Sequence, residues 1–285
     1  SYVVYGKASG YSANFDLATL ASGNGSAGFA INGIDNEDNS GYSVSAAGDV
    51  NGDGYLDVMA AVEISHLLYL QNPGANARNE TWDRLIIPIT QNRGSFIRVY
   101  LEDIDGDGIP EAVTPNKGAQ RPGPDDYARS TPVSIFKVSG DPLVGSNWEE
   151  QILGRYSVPR NSEPFDLDQD GDLDILVGST GERRIIFFEN VDAANMETLC
   201  VQEIKNNERL VSVAHAYFAK ADEVLLVVGS AKNFVLQPRD CDGGMIRCYR
   251  YKRGGGKSSN GETTANGKSG ANKAITGLEL VHETP

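Results

Sequence analysis

Residues 102–113 read Glu-Asp-Ile-Asp-Gly-Asp-Gly-Ile-Pro-Glu-Ala-Val, and the interpretation of the whole chain begins from this stretch. Asp103, Asp105 and Asp107 alternate along the chain, Gly108 follows them, and Glu111 ends the acidic run. Carboxylates this close together repel one another unless a cation lies among them. A hard cation such as Ca²⁺ takes about six to eight oxygen ligands, and alternate carboxylates on a tight loop can supply several of them. The stretch therefore predicts a metal-binding loop.

The same pattern occurs once before and once after this stretch. In each loop the glycine at the sixth position permits the positive φ that lets the chain wrap an ion, and the carbonyl of the seventh residue adds a backbone ligand. We predict up to three structural Ca²⁺ sites; the alternative is three acidic surface turns without metal. The predicted ligands are Asp49, Asn51, Asp53, Tyr55 and Asp57 in the first loop, Asp103, Asp105, Asp107, Ile109 and Glu111 in the second, and Asp166, Asp168, Asp170, Asp172 and Asp174 in the third.

Each loop is predicted to join two strands. A helix–loop–helix calcium site has a glutamate at its twelfth position, where this chain has Ala60, Thr114 and Val177. Short apolar runs with β-branched residues follow the loops, for example 58–62 and 175–177, and such runs are typical of buried strands. Repeated four-stranded units of this kind are the blades that a β-propeller requires. The pattern therefore favours an all-β fold.

Composition limits the class of protein. The chain has 285 residues, 40% of them hydrophobic, which is enough for one large all-β domain or two smaller ones. A net charge of −14 makes direct binding to nucleic acid unexpected. No apolar run approaches the ~18 residues of a membrane span, and Ser1 opens no signal segment. Cys241 and Cys248 could pair or remain free thiols, and their redox state is left open.

Residues 1–62 resemble the FG-GAP repeat of integrin α-subunits and bacterial surface proteins. The resemblance rests on Tyr-Val-Val-Tyr-Gly-Lys at 2–7, Gly-Phe-Ala-Ile-Asn-Gly at 28–33, and Gly-Tyr-Ser-Val-Ser-Ala-Ala-Gly at 41–48, which leads into the first acidic loop. That family builds β-propellers and holds Ca²⁺ in this loop, between the first two strands of a blade. The resemblance implies the same fold and the same ion here.

The rest of the chain resembles two other families. Residues 63–195 look like VCBS-type repeats, relatives of FG-GAP, in stretches such as Leu-Leu-Tyr-Leu-Gln-Asn-Pro-Gly at 67–74. Residues 196–285 carry no acidic loop. Through Leu-Val-Ser-Val-Ala-His-Ala-Tyr-Phe at 210–218 they look like one blade of the eukaryotic propeller scaffolds of the splicing factor 3b subunit 3 type, which also serve mRNA cleavage and damaged-DNA recognition. Three patterns in one chain motivate the hypothesis of a recombined or designed chimera, with junctions near Val62 and Ala194.

We predict one β-propeller over residues 1–285, with four to five four-stranded antiparallel blades. Blade units are expected at 41–95, 96–155, 156–210 and 211–285, while 1–40 supply two strands, or half a blade. Residues 253–272 are rich in Gly, Ser, Asn, Lys and Thr, cannot bury apolar area, and are expected to form a flexible loop. A propeller hides its sheet edges by closing on itself. The half blade therefore predicts self-association, unless a rearranged closure covers its edge.

The predicted function is that of a non-catalytic, Ca²⁺-stabilised scaffold, without a dedicated biological ligand if the chain is a chimera. A secreted adhesion or carbohydrate-binding propeller is the second class, in which Trp82 and Trp148 would stack on sugars instead of packing in the core. A polysaccharide lyase or sugar dehydratase-type enzyme is the third. No base–acid constellation requires catalysis, and neither a protein nor a glycan partner can be named. The chain would be extracellular if it is natural. Residues that could stand near the face of such an enzyme are Tyr127, Arg129, Arg155, Arg160 and His215.

Overall fold

The computed structural model describes a large part of the chain, with gaps. The described residues are 2–4, 16–22, 27–30, 43–46, 48–62, 66–167, 170–192, 196–203, 209–217, 224–231, 244–251 and 278–284. The predicted flexible segment 253–272 and the predicted ligand Asp168 lie outside these residues. Within them, no helix is both long enough and apolar enough to cross a membrane.

Strands make up most of the regular structure. They are β1 (Tyr2–Val4), β2 (Gly28–Ala30), β3 (Ser43–Ala46), β4 (Val58–Val62), β5 (His66–Gln71), β6 (Asp83–Ile86), β7 (Tyr100–Glu102), β8 (Glu111–Pro115), β9 (Thr131–Val138), β10 (Trp148–Tyr156), β11 (Pro159–Phe165), β12 (Asp174–Ser179), β13 (Arg184–Asn190), β14 (Met196–Glu203), β15 (Arg209–Tyr217), β16 (Val224–Ala231), β17 (Gly244–Tyr251) and β18 (Leu278–Thr284). One short helix that the sequence analysis did not predict, α1, spans Ala18–Ser22, and single 3₁₀ turns lie at Gly74–Asn76, Pro88–Thr90, Asp126–Ala128 and Gly145–Asn147.

Within the described ranges, the strands form four four-stranded sheets and one pair. Each four-stranded sheet takes strands that follow one another in sequence, in the orders β3-β4-β5-β6, β7-β8-β9-β10, β11-β12-β13-β14 and β15-β16-β17-β18. All neighbours within these sheets are antiparallel, and β1 pairs with β2 in the same sense. The prediction of an all-β propeller fold with four-stranded antiparallel blades is confirmed. That residues 1–285 close into a single ring stays a prediction.

The first strand of each sheet lies nearest to the neighbouring sheets. β3 contacts β7, β11 contacts β7 and β8, and β15 contacts β11 and β12. Successive sheets therefore meet mainly through their first and second strands, as the blades of a propeller do around their axis. The loop between the first and second strands of a sheet therefore connects strands that contact the neighbouring sheet.

Apolar side chains fill the space between successive sheets. Tyr69 and Met59 of the first sheet share one buried cluster with Phe96, Phe136 and Trp148, which belong to the second unit or lead into it. A second cluster joins the second and third sheets in the same way, through Val113, Ile135, Ile175, Val177 and Phe188 among others. Burial between sheets is the main apolar term holding the units together.

Both tryptophans pack against apolar clusters, Trp148 fully buried and Trp82 partly so. Trp148 is 3% exposed, its ring centroid lies 6.1 Å from that of Tyr69, and its indole N–H donates to the Pro142 carbonyl at 2.9 Å. Trp82 packs partly buried against the cluster of Ala60, Val62, Leu68 and Leu70. These positions favour core packing of both rings over stacking on a sugar.

Replacing Phe136 by alanine is expected to destabilise the protein by about 3–5 kcal/mol, since it removes a fully buried ring and leaves a cavity. Urea denaturation followed by circular dichroism measures the change. Ile152→Ala is the matched control on the same hairpin, because Ile152 is 42% exposed; it should shift stability by less than about 0.5 kcal/mol. Equal losses in the two variants would contradict the assignment of the core between the sheets.

Candidate metal sites

The three acidic loops occupy the same place in three successive sheets. They connect β3 to β4, β7 to β8 and β11 to β12, which are the first and second strands in each case. The glycines at the sixth position, Gly54, Gly108 and Gly171, have φ values of 89°, 89° and 105°. This confirms the predicted positive φ there, which only glycine adopts readily. Position one of the three loops is Asp49, Asp103 and Asp166, respectively.

The carboxylate at the first position folds each loop back on itself. It accepts backbone N–H groups of residues three to five positions later, one on each oxygen, as in an Asx turn. In the second loop, Asp103 accepts from Gly106 at 2.8 Å and from Gly108 at 2.9 Å. The first loop has Asp53→Asp49 at 2.9 Å and Gly54→Asp49 at 2.7 Å, and the third has Asp170→Asp166 and Gly171→Asp166, both at 3.2 Å.

The carboxylate at the fifth position also binds the backbone, through one oxygen. It accepts the N–H of the residue at position seven in every loop. The three bonds are Tyr55→Asp53 at 2.9 Å, Ile109→Asp107 at 2.8 Å and Asp172→Asp170 at 3.2 Å. These contacts set the path of the loop and leave the other oxygen of each carboxylate for a second partner.

The carboxylate at the ninth position is buried and ties the two ends of the loop together; we call it the clamp carboxylate. Its exposure is 1% for Asp57, 1% for Glu111 and 2% for Asp174. It accepts the backbone N–H of the residue at position two in all three loops. The bonds are Val50→Asp57 at 3.1 Å, Ile104→Glu111 at 2.8 Å and Leu167→Asp174 at 2.8 Å.

In the first loop the clamp carboxylate has further partners from the sheet. Asp57 Oδ1 accepts the backbone N–H of Asn72, just past the end of β5, at 2.8 Å. The Tyr69 hydroxyl donates at 2.8 Å to Asp57 Oδ2, the oxygen that also accepts the Val50 N–H. Burial raises the pKa of the Asp57 carboxyl above its usual value, because the opposing effect of these hydrogen bonds is smaller than the effect of burial. The third loop repeats the bond, with the N–H of Asn190 at the end of β13 donating to Asp174 at 2.9 Å.

In the second loop the clamp carboxylate lacks this second partner. Glu111 Oε1 is buried and has no hydrogen-bond partner. Burial, together with the nearby charges of Asp105 and Asp107, raises the pKa of Glu111 to about 7, although the Ile104 N–H and Lys137 oppose the shift. Among the described residues, one group of three acids has oxygens all within 4.8 Å of one another, and it consists of Glu111, Asp103 and Asp105. These three carboxylates could hold a metal ion and would supply part of the oxygen ligands that a hard cation takes.

A lysine from the next strand lies against the same loop. The Lys137 ammonium, on β9, forms ion pairs with Asp105 and, at 2.8 Å, with Asp107. These contacts lower the pKa of Asp107, the hydrogen bond from Lys137 being the largest cause. Asp105 is thus shared between the lysine and the group that contains Glu111.

The structure brings the predicted ligands together to different extents. In the first loop, Asp49 and Asp53 bind loop N–H groups, and the Asn51 amide donates to Asp53 at 2.9 Å. In the third loop Asp168 lies outside the described residues. Every ligand assignment, including the carbonyls of Tyr55, Ile109 and Asp172, stays a prediction. The hydrogen bonds add a structural role for Asp57, Glu111 and Asp174 that the sequence analysis did not include.

Sequence reasoning missed the partners that the third strand of each sheet supplies. Tyr69, Asn72 and Asn190 hold clamp carboxylates, and Lys137 pairs with the second loop. Asparagine closes the aromatic strand in both Leu-Gln-Asn at 70–72 and Phe-Glu-Asn at 188–190, but both bind the clamp through the backbone N–H, which any residue except proline has, so the residue type was no signal for them. The corresponding residues of the second unit are Phe-Lys-Val at 136–138.

One comparison with known proteins gives a match. The family model of the FG-GAP-like repeat matches residues 49–114, which hold the first two acidic loops. A comparison with curated proteins gives no match. The FG-GAP-like part of the predicted resemblance is confirmed over this segment. The match overlaps the predicted range 1–62 only at 49–62 and runs on past the predicted junction at Val62. The VCBS-type and splicing-factor-type resemblances stay predictions.

Replacing Asp57 by asparagine is expected to destabilise the protein by about 2–4 kcal/mol, even in excess chelator. The amide has one acceptor where the carboxylate accepts from Val50, Asn72 and Tyr69, so at least one buried donor loses its partner. Urea denaturation in EDTA measures the loss. Asp53→Asn is the matched control because Asp53 is exposed; it should change the stability of the chelated protein by less than about 1 kcal/mol. Equal free energies of unfolding for the two variants in EDTA would show that the clamp carboxylate does not stabilise the fold.

Proposed function

We propose that this chain is a non-catalytic β-propeller scaffold stabilised by bound calcium. One observation carries the proposal. Glu111 Oε1 is buried without a hydrogen-bond partner, in a loop where oxygens of Asp103 and Asp105 lie within 4.8 Å of a Glu111 oxygen. A buried carboxylate oxygen without a donor is costly, and a cation among the three acids would remove that cost.

Calcium suits this loop better than a transition metal does. The donors are carboxylate and carbonyl oxygens, which are hard ligands, and no cysteine or histidine belongs to the group. Ca²⁺ binds oxygens at about 2.3–2.6 Å, so oxygens that are 4.8 Å apart or closer can contact one ion. Glu111 and Asp103 would hold the ion together with Asp105, and the Ile109 carbonyl is the proposed backbone ligand.

The role of the ion in this proposal is mechanical. The loop joins β7 to β8, and the sheet of these strands meets the next one through β11. An ion that binds the folded loop alone stabilises the folded state by mass action. Affinity of the order of 10⁻⁴ to 10⁻³ M, as in extracellular calcium modules, would suffice at millimolar calcium.

The non-catalytic part of the proposal rests on what the candidate enzymatic residues contact. The Tyr127 carbonyl accepts the Ser157 hydroxyl at 2.9 Å, and Arg160 Nε donates to the Thr180 hydroxyl at 3.1 Å. The first bond joins the second unit to the third, and the second bond lies within the third unit. The side chain of His215 lies outside the described residues. Polysaccharide-acting chemistry therefore gains no support from these contacts, and the scaffold remains the preferred function.

A recombined or designed origin is the finer part of the proposal. It is supported by the distribution of acidic loops, which occur at 49–57, 103–111 and 166–174 and not after residue 195. In this proposal the last blade comes from a family of propellers without calcium loops, and the chain has no dedicated ligand. A natural homologue that is similar along the whole length, across 62 and 194, would contradict this origin.

Self-association through the incomplete blade is expected for the scaffold. Within the described residues β1 and β2 form a sheet of only two strands, and a short unpaired sheet edge is a surface for pairing with another chain. Light scattering coupled to size-exclusion chromatography should give a mass of at least twice 30.6 kDa. A monomeric mass over the micromolar range would contradict this expectation.

Glu111→Gln is the most informative substitution for calcium binding. Glutamine can still accept the Ile104 N–H, but it removes a buried charge. We expect the variant to be at least as stable as the wild type in EDTA, and to lose a large part of the rise in melting temperature that millimolar CaCl₂ gives the wild type. Differential scanning calorimetry with and without calcium measures both quantities.

Glu102→Gln is the matched control for this experiment. Glu102 ends β7 next to the same loop but is exposed and outside the acidic group, so its loss should leave the calcium response close to that of the wild type. A Glu111→Gln variant that keeps the full calcium response would overturn the assignment of Glu111 as a ligand. A wild type without any calcium response would overturn the proposed function.

A further inference from the structure

The second acidic loop already holds a cation, which the protein itself supplies. The Lys137 ammonium pairs with Asp105 and with Asp107, the latter at 2.8 Å. The Asp105 side chain is 11% exposed, so this ion pair is partly shielded from water. Charges in such a position interact more strongly than charges on the open surface.

Asp105 belongs to two groups at once. Its carboxylate binds Lys137, and it also contributes an oxygen to the cluster with Asp103 and Glu111. The lysine does not satisfy the whole cluster, because Glu111 Oε1 remains without a hydrogen-bond partner. A divalent ion placed among Asp103, Asp105 and Glu111 would have to share Asp105 with the ammonium or displace it. The two positive charges would also repel each other at this separation.

The strand register shows that this lysine is particular to one loop. Ala112 of β8 pairs with Phe136, and Lys137 is the next residue on β9. In the first sheet Val58 pairs with Leu70, and the residue after Leu70, which occupies the position of Lys137, is Gln71. In the third sheet Ile175 pairs with Phe188, and the residue after Phe188 is Glu189. One register position beside the acidic loop thus carries a neutral, a positive and a negative residue in three successive sheets.

We propose that Lys137 is a built-in counter-cation that competes with Ca²⁺ for the second loop and weakens calcium binding there. The proposal rests on the proposed calcium-stabilised scaffold and adds a regulatory residue to it. In the absence of the metal, the ammonium offsets the repulsion between Asp105 and Asp107 and holds the loop. When calcium binds, the ammonium leaves Asp105, which lowers the apparent affinity of this loop.

The test replaces Lys137 by the residue that the first sheet has at the same position, Lys137→Gln. Calcium is titrated into chelator-stripped protein by isothermal titration calorimetry, and melting temperatures are measured in EDTA and in saturating CaCl₂. We expect the variant to melt at a lower temperature than the wild type in EDTA. We also expect the calcium affinity of the second loop to be roughly fivefold higher in the variant than in the wild type, the ratio that corresponds to losing one ion pair. The rise in melting temperature that calcium causes should be larger in the variant as well.

Two further variants separate local competition from a change in net charge. Arg155→Gln removes a positive charge at the other end of the same hairpin, where Arg155 pairs with Pro132 while Glu149 pairs with Lys137; it should leave calcium affinity at the wild-type value. Lys137→Arg keeps the charge and should keep the weaker affinity. Adding Glu111→Gln to the Lys137→Gln variant assigns the change to the second loop, because the gain should then disappear.

Each outcome bears on one of the two proposals. If Lys137→Gln shows an unchanged or smaller calcium response while the wild type responds, the competition is wrong and the scaffold proposal stands. If Arg155→Gln raises affinity as much as Lys137→Gln does, the effect is one of net charge and the competition is again wrong. If neither the wild type nor Lys137→Gln binds calcium, both proposals fail.

Discussion

A buried carboxylate that accepts the backbone N–H seven residues before it is the interaction on which the acidic loops depend. Asp57, Glu111 and Asp174 all make this bond, at the start of the second strand of three successive sheets. It joins the entry of each loop to its exit, so the first and second strands leave the loop in a fixed relation. Because these carboxylates are buried, each needs donors or a cation to offset its lost hydration.

The three loops meet this requirement in different ways. The carboxylates of Asp57 and Asp174 each receive a backbone N–H from an asparagine at the end of the third strand. Glu111 has no such donor on its second oxygen. In the second loop a metal ion would therefore take the place of the backbone N–H that the third strand supplies in the other two loops. Lys137 contacts the same loop. Neighbouring repeats with nearly the same loop sequence can differ in their need for an ion because of residues on another strand.

Much of this arrangement could be predicted because it is encoded locally. The spacing of Asp103, Asp105, Asp107 and Gly108 sets the path of the loop through hydrogen bonds that span no more than five residues. The short apolar runs with β-branched residues likewise indicated buried strands, and their repetition indicated four-stranded blades. Local spacing also placed the loops correctly between the first and second strands.

The partners that come from elsewhere in the sheet could not be predicted in the same way. Lys137 lies 30 residues from Asp107 in the chain and meets it only because β8 and β9 pair in one register. A shift of one residue would turn the lysine to the other face of the sheet. The distinction between a clamp carboxylate and a metal ligand was missed for the same reason, since it depends on Tyr69 and Asn72. The short helix α1 had no periodic pattern long enough to signal it.

The most direct test of the clamp is the hydrogen exchange of individual backbone amides, measured by nuclear magnetic resonance in excess chelator. We expect the N–H groups of Val50, Ile104 and Leu167 to exchange slowly without metal, because each donates to a buried carboxylate. The N–H groups of the exposed glycines Gly54, Gly108 and Gly171 should exchange faster and become protected when calcium is added. Exchange of all six amides at the same fast rate in chelator would contradict the account.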